Sequence, residues 1–147
     1  MTQTETTGER IRSVELAETD RARLEAWAEA GYPHEVCGLL IGEARPDGVR
    51  VRTVRQAPNL ENERAADRYE LDPRAFLAAD EQARAAGFDI VGFWHSHPDA
   101  AAVPSETDRA AAWPGYIYLI VSVQAGSATD LRVWSLTDGV FERGELT

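Results

Sequence analysis

The chain contains no lysine. Its 15 basic residues are all arginines, set against 25 acidic ones, which leaves a formal charge of −10 over 147 residues. A phosphate-rich partner such as nucleic acid is disfavoured, because neutralising phosphates requires a basic surface that this chain would have to assemble against its own field. An acid excess without lysine suits a high-salt cytoplasm, where repulsion is screened over a few ångströms; a GC-rich genome that turns lysine codons into arginine codons leaves the same mark. Cysteine is nearly absent as well, and Cys37 alone cannot form an internal disulfide. The longest apolar run, Tyr116 to Val123, is interrupted by Ser122 and falls far short of the roughly 20 residues that cross a bilayer, so no membrane span is expected. Residues 1–10 hold no apolar signal-peptide core and read as a disordered leader ahead of one domain over residues 11–147, with a cytoplasmic location. GxGxxG, P-loop and CxxC patterns are missing too, which removes the common nucleotide and thiol-redox signatures.

What is present is a balance of 44% hydrophobic and 27% charged residues, that of a single soluble domain. At this length about two-thirds of the unfolded surface can be buried, so any metal is free to be catalytic rather than a staple. Thr19 or Asp20 can cap a helix with Leu24, Trp27 and Ala28 on one face, stopped by Gly31 and Pro33. Val36 to Gly42 suits a buried strand, Arg45-Pro46-Asp47-Gly48 a turn, and Val49, Val51 and Val54 a half-exposed neighbour. A polar loop over residues 57–67 leads to a short strand at Tyr69–Leu71 and a helix opened by Asp72-Pro73 and ended by Gly87. Asp89 to His95 reads as a strand, and Ser105 starts a short helix that ends before Pro114. Two strands follow, at Tyr116–Val123 and Leu131–Leu136, then an Asp138-Gly139 hairpin turn into Val140-Phe141. The order places the chain in the α/β class, α+β mixed: a central mixed β-sheet flanked by helices.

Only three histidines occur, and two of them, His95 and His97, end the most apolar strand. In a strand, side chains i and i+2 point the same way, so both imidazoles can meet at one point, and zinc favours imidazole and carboxylate donors. A catalytic zinc takes three protein ligands and a water. Asp108 is the best third candidate, since the loop after Pro98 can return the first turn of the next helix to the strand end. Glu35, at the start of the first core strand, can reach the same edge as an acid and base. Each feature also has a plain structural reading: hydrogen-bonded histidines, an exposed glutamate, a capping box at Ser105-x-x-Asp108, a buried structural thiol at Cys37 and a loop residue at His34.

Taken together, Glu35, then His95-Ser96-His97-Pro98, six further residues and Ser105-x-x-Asp108 resemble the signature of the JAMM or MPN-plus (Mov34-like) metalloprotease family. The resemblance extends to Cys37-Gly38-Leu39-Leu40, Asn59, Tyr69, Asp72 and Gly92-Phe93-Trp94, and spans roughly residues 14–143. It implies a single MPN-like domain of cytidine-deaminase-like architecture, with one zinc ion held by His95, His97 and Asp108. It also implies that Glu35 moves the proton and that Ser105 donates a hydrogen bond to the developing oxyanion. Ser96, on the opposite side of the strand, serves structure. The short length is most similar to small stand-alone bacterial members, including those acting on sulfur carriers of the ThiS, MoaD or CysO type. The resemblance therefore implies cleavage after the Gly-Gly tail of a ubiquitin-like or sulfur-carrier protein. Alternatives of other classes are a non-catalytic MPN scaffold and a zinc hydrolase of a small molecule. Leaving group and oligomeric state are left open.

Overall fold

The computed structural model describes residues 11–147, so the leader expected over residues 1–10 lies outside the described residues. Its elements run β1 (Ser13–Glu15), α1 (Glu18–Gly31), β2 (Cys37–Arg45), β3 (Gly48–Ala57), α2 (Pro73–Ala85), β4 (Asp89–Pro98), α3 (Glu106–Ala111), β5 (Ile117–Gln124), β6 (Ser127–Thr137), β7 (Val140–Arg143) and β8 (Glu145–Leu146). All the strands join one mixed sheet in the order β7-β6-β5-β4-β2-β3-β1-β8. Pairing is parallel at β4–β5, β1–β3 and β1–β8 and antiparallel elsewhere. The outermost strands β7 and β8 are separated in sequence by Gly144 alone, whose N–H donates to Val133 O on β6 at 2.9 Å. The sheet therefore curls until its two ends meet. Among the described residues no helix is long and apolar enough to cross a membrane.

Two cores form because the alternation of each strand supplies apolar side chains to both faces. On one face Leu24 and Ala28 of α1 pack with Leu40, Val51, Trp94, Leu119 and Val121. Helix α1 touches β3, β5 and β6, so it lies within the curl. On the other face Ala79 and Ala83 of α2 pack with Leu39, Ile41 and Ile90, and Phe93 and Tyr116 flank them. Each fully buried Leu or Val contributes about 1.5–3 kcal/mol relative to exposure. Trp94 locks the middle of the sheet: its indole N–H crosses β2 to donate to Arg55 O on β3 at 2.8 Å. A Cβ at Gly38 would fall on that carbonyl and on the indole nitrogen, so glycine at this β2 position is what lets the ring pass.

Local signals placed most elements. Asp72 caps α2 by accepting the Arg74 N–H at 2.9 Å, Pro73 opens the helix, and Gly87 turns out of it at φ +86°. Asp138 and Gly139, at φ +52° and +77°, make the two-residue turn of the β6–β7 hairpin. Two expectations change. The first helix begins at Glu18 after Ala17, which has no side-chain cap hydrogen bond, so Thr19 and Asp20 sit inside the first turn and not at the cap. Their acidic neighbours still suit the positive helix start. The strand expected at Tyr69–Leu71 is only an isolated bridge between Leu71 and Asn59, because the segment has no second strand to run beside. Conversely, β1 and β8, three and two residues long, carry no sequence pattern and form only because they close the curl.

Candidate metal centre

Strand β4 lies at the middle of the sheet, paired with β2 on one side and β5 on the other. Phe93, His95 and His97 share its α2-side face, while Trp94 turns into the α1 core and Ser96 is fully buried. Ser96 Oγ accepts the Val36 N–H at 2.9 Å, and the Ser96 N–H donates to Val36 O at 3.0 Å. That pair fixes the residue after Glu35. The Glu35 N–H donates to Ala65 O, and the Asn59 side-chain amide donates to Glu35 O at 3.0 Å, so its backbone is held on both sides. The Glu35 side chain is buried at 5% exposure, and its Oε1 has no hydrogen-bond partner among the described residues.

The loop after β4 is pinned carbonyl by carbonyl. Ala100 O accepts from Ser122 Oγ on β5, Ala101 O from His97 Nδ1 at 2.8 Å, and Ala102 O from the Trp134 indole on β6 at 3.0 Å. So tethered, the loop returns α3 to the end of β4. Ser105 and Asp108 then form a full capping box, with Ser105 Oγ accepting the Asp108 N–H at 3.0 Å and Asp108 Oδ2 accepting the Ser105 N–H at 2.9 Å. The box aims the Asp108 carboxylate at the histidines. His95 Nε2 and His97 Nε2 stand 3.1 Å apart, and Asp108 Oδ2 is 3.2 Å from the first and 2.9 Å from the second.

These three atoms form a group that could hold a metal ion. Because a carbonyl only accepts, His97 must carry its proton on Nδ1, which leaves the Nε2 lone pair facing the cluster. Lone pairs of two imidazoles and a carboxylate converging at this range repel unless a cation or proton sits among them. Zinc bonds of about 2.0–2.1 Å in a tetrahedron separate donor atoms by roughly 3.3 Å, close to the spacings seen. The donor set therefore fits zinc.

The electrostatics follow from burial and crowding. Burial, reinforced by the charges of Asp108 and Asp67 and opposed by His97, pushes Glu35 up to about 8. Burial also works to raise Asp108, but the hydrogen bonds and charge of His95 and His97, with the Ser105 N–H, outweigh it and hold the carboxyl well below its usual range. Burial lowers His95. It also works against His97, where the Asp108 and Ala101 hydrogen bonds prevail and the net shift is upward. Cys37, buried on β2 opposite His95, is pushed up to about 12 by burial and then by Glu35, so it stays a thiol. His34 is an exposed loop residue, as expected. Tyr69 was legible only as part of the family pattern; its ring stacks on His95 with centroids 4.5 Å apart and 27° between planes. Ser122 had announced itself as the one polar residue in an apolar run, though its use as a loop tether was not visible.

A mixed sheet with helices on its faces, carrying two histidines and an aspartate at the end of a central strand beside a buried glutamate, defines a single-domain α+β protein built around a candidate metal site. Comparison with known sequences makes the assignment specific. The family described as prokaryotic homologs of the JAB domain (Prok-JAB) matches residues 18–137, and the chain belongs to it. A protein of Haloferax volcanii named desampylase is 48% identical over 93 residues, covering 61% of this chain and 63% of that protein, so the matched stretch spans less than two-thirds of that relative's length. A protein of Mycobacterium tuberculosis named CysO-cysteine peptidase is 32% identical over 115 residues, 78% of this chain and 76% of the relative. Among solved structures, a protein of Desulfitobacterium hafniense determined in solution superposes with a TM-score of 0.80 at 28% identity, over 91% of each chain.

Proposed function

We propose that the protein is a zinc metallopeptidase that hydrolyses the peptide or isopeptide bond after the Gly-Gly tail of a ubiquitin-like or sulfur-carrier protein. The carrying observation is the convergence of His95, His97 and Asp108 to about 3 Å beside a buried Glu35 whose Oε1 lacks a partner. In this reading those three residues hold one zinc ion per chain. Zinc supplies Lewis acidity, withdrawing charge from oxygen and easing loss of a proton from water. Glu35 accepts that proton and delivers it to the leaving amine, and a carboxyl raised by burial is suited to both halves of the transfer near neutral pH. Ser105 Oγ spends a lone pair on the Asp108 N–H, which leaves its hydroxyl proton free to meet the developing oxyanion.

The names of the relatives support the substrate class, since one is a desampylase and another a CysO-cysteine peptidase. An apolar groove of about 540 Å³ lies against the site and offers a surface for the substrate; Tyr69, Leu71, Phe76, Phe93, Trp113 and Tyr118 are among its walls, and Tyr69 also touches His95. A buried single thiol agrees with the reducing cytoplasm we propose as its setting. The direct test loads the protein with zinc and incubates it with carriers whose Gly-Gly tail is extended by a short peptide. Mass spectrometry should show release after the second glycine, abolished by a chelator and restored by zinc. A zinc-bound protein inert toward every such carrier would overturn the substrate assignment.

Ser105→Ala separates its two roles. Loss of the cap alone costs about 1 kcal/mol of stability in denaturant titration. Loss of an oxyanion donor lowers kcat by about 10²–10³-fold. We expect both effects; an unchanged kcat would confine Ser105 to capping.

A further inference from the structure

We propose that Tyr69 is a positioning residue for His95, its ring supplying by stacking the orientation that a hydrogen bond supplies to His97. The inference rests on the metal-site reading above. A histidine that ligates through one nitrogen is ordinarily aimed by a hydrogen bond from the other, and losing such a partner typically weakens metal binding about 10–100-fold. His97 has that bond, from Nδ1 to Ala101 O at 2.8 Å. His95 does not: its Nδ1 is buried with no hydrogen-bond partner among the described residues. The backbone of β4 fixes where His95 starts, and rotation of the imidazole about its own bond still has to be stopped.

Tyr69 is the group placed to stop it. Its ring lies over the imidazole at 4.5 Å and 27°, whereas His97, the other ring in contact, is tilted by 59° at 4.9 Å. Turning His95 out of plane would drive its edge into the Tyr69 face. The tyrosine is itself rigidly mounted. Asn59 binds both of its neighbours, donating to Arg68 O at 3.2 Å and accepting the Glu70 N–H at 2.8 Å, and the Leu60 N–H donates to Glu70 O at 2.8 Å. The same Asn59 amide holds Glu35 O, so one side chain sets the positions of Glu35 and Tyr69 together. The Tyr69 hydroxyl makes no side-chain or backbone hydrogen bond among the described residues, which assigns the work to the ring.

The experiment measures zinc affinity by competition with a chelating dye, and the visible spectrum of the cobalt-loaded protein, for wild type, Tyr69→Phe, Tyr69→Leu and Phe76→Leu. Phe76 lines the same groove without touching His95, and the melting temperature of each metal-free protein reports packing alone. The expected result is wild-type affinity and spectrum for Tyr69→Phe and Phe76→Leu, and for Tyr69→Leu an affinity lower by about 10–100-fold with an altered cobalt spectrum. Tyr69→Met replaces Tyr69→Leu should the latter not fold. Three results would overturn the proposal: Tyr69→Leu binding like wild type, Tyr69→Phe losing as much as Tyr69→Leu, or Phe76→Leu losing as much as either. A wild-type protein that binds neither metal would instead sink the metal-site reading on which this one stands.

Discussion

Asp108→Ala is expected to reduce bound zinc from about one ion per chain to under about a tenth after dialysis, measured by elemental analysis of protein purified without a metal-binding tag. The reason is geometric. Asp108 Oδ2 is the atom that both histidine Nε2 atoms face, and removing it leaves two neutral donors where a structural or catalytic zinc takes at least three protein ligands. The same oxygen accepts the Ser105 N–H, so the substitution also removes one of the two bonds of the capping box, leaving the Ser105 Oγ bond to the residue-108 N–H. Asp108→Asn distinguishes the two consequences, because an amide oxygen can still accept the Ser105 N–H while its lack of charge makes it a poor zinc ligand. Both variants should lose zinc; only Asp108→Ala should also lose the return bond from the Ser105 N–H, while the Ser105 Oγ cap on the residue-108 N–H survives in both. Zinc retained at the wild-type level in both would remove Asp108 from the ligand set.

Glu35→Gln is expected to bind zinc as wild type does and to lose turnover by about 10²–10⁴-fold, the range carried by a positioned acid and base. The change is close to isosteric, and the contacts that seat Glu35 run through its backbone, to Ala65 O and from Asn59, or through the following residue to Ser96. None of them touches the carboxyl. Stability should therefore hold or rise, since burying an amide costs less than burying a carboxyl pushed up to about 8. A matched fall in zinc content would make Glu35 a ligand, and unchanged turnover would move proton transfer to another group.

Much of the site is legible in the sequence because its parts are local. Two histidines two residues apart share a face in any strand, and Ser105 and Asp108 at spacing i, i+3 close a capping box at a helix start. The Asp72-Pro73 cap and the Asp138-Gly139 turn were equally legible, because a cap or a two-residue turn is decided by a few neighbouring side chains and backbone angles. Thr19 and Asp20 misled for the opposite reason. Good capping residues predict a cap, but packing of Leu24 and Ala28 into the curled sheet set the start of α1 two or three residues earlier, at a position with no cap side chain.

The sequence by itself determined the donor types, their spacing and the elements that carry them, since alternation, capping and turn geometry act over a few residues. Only the tertiary structure decided that Glu35 is buried beside a pair of histidines far along the chain, and that Ala100, Ala101 and Ala102 are tied by Ser122, His97 and Trp134. It also decided that Asn59 mounts both Glu35 and Tyr69. Strands as short as β1 and β8 fall in the same group. Each of these depends on which strands become neighbours, and that choice is made by burying two whole faces of a sheet at once, a free energy no local window of residues contains.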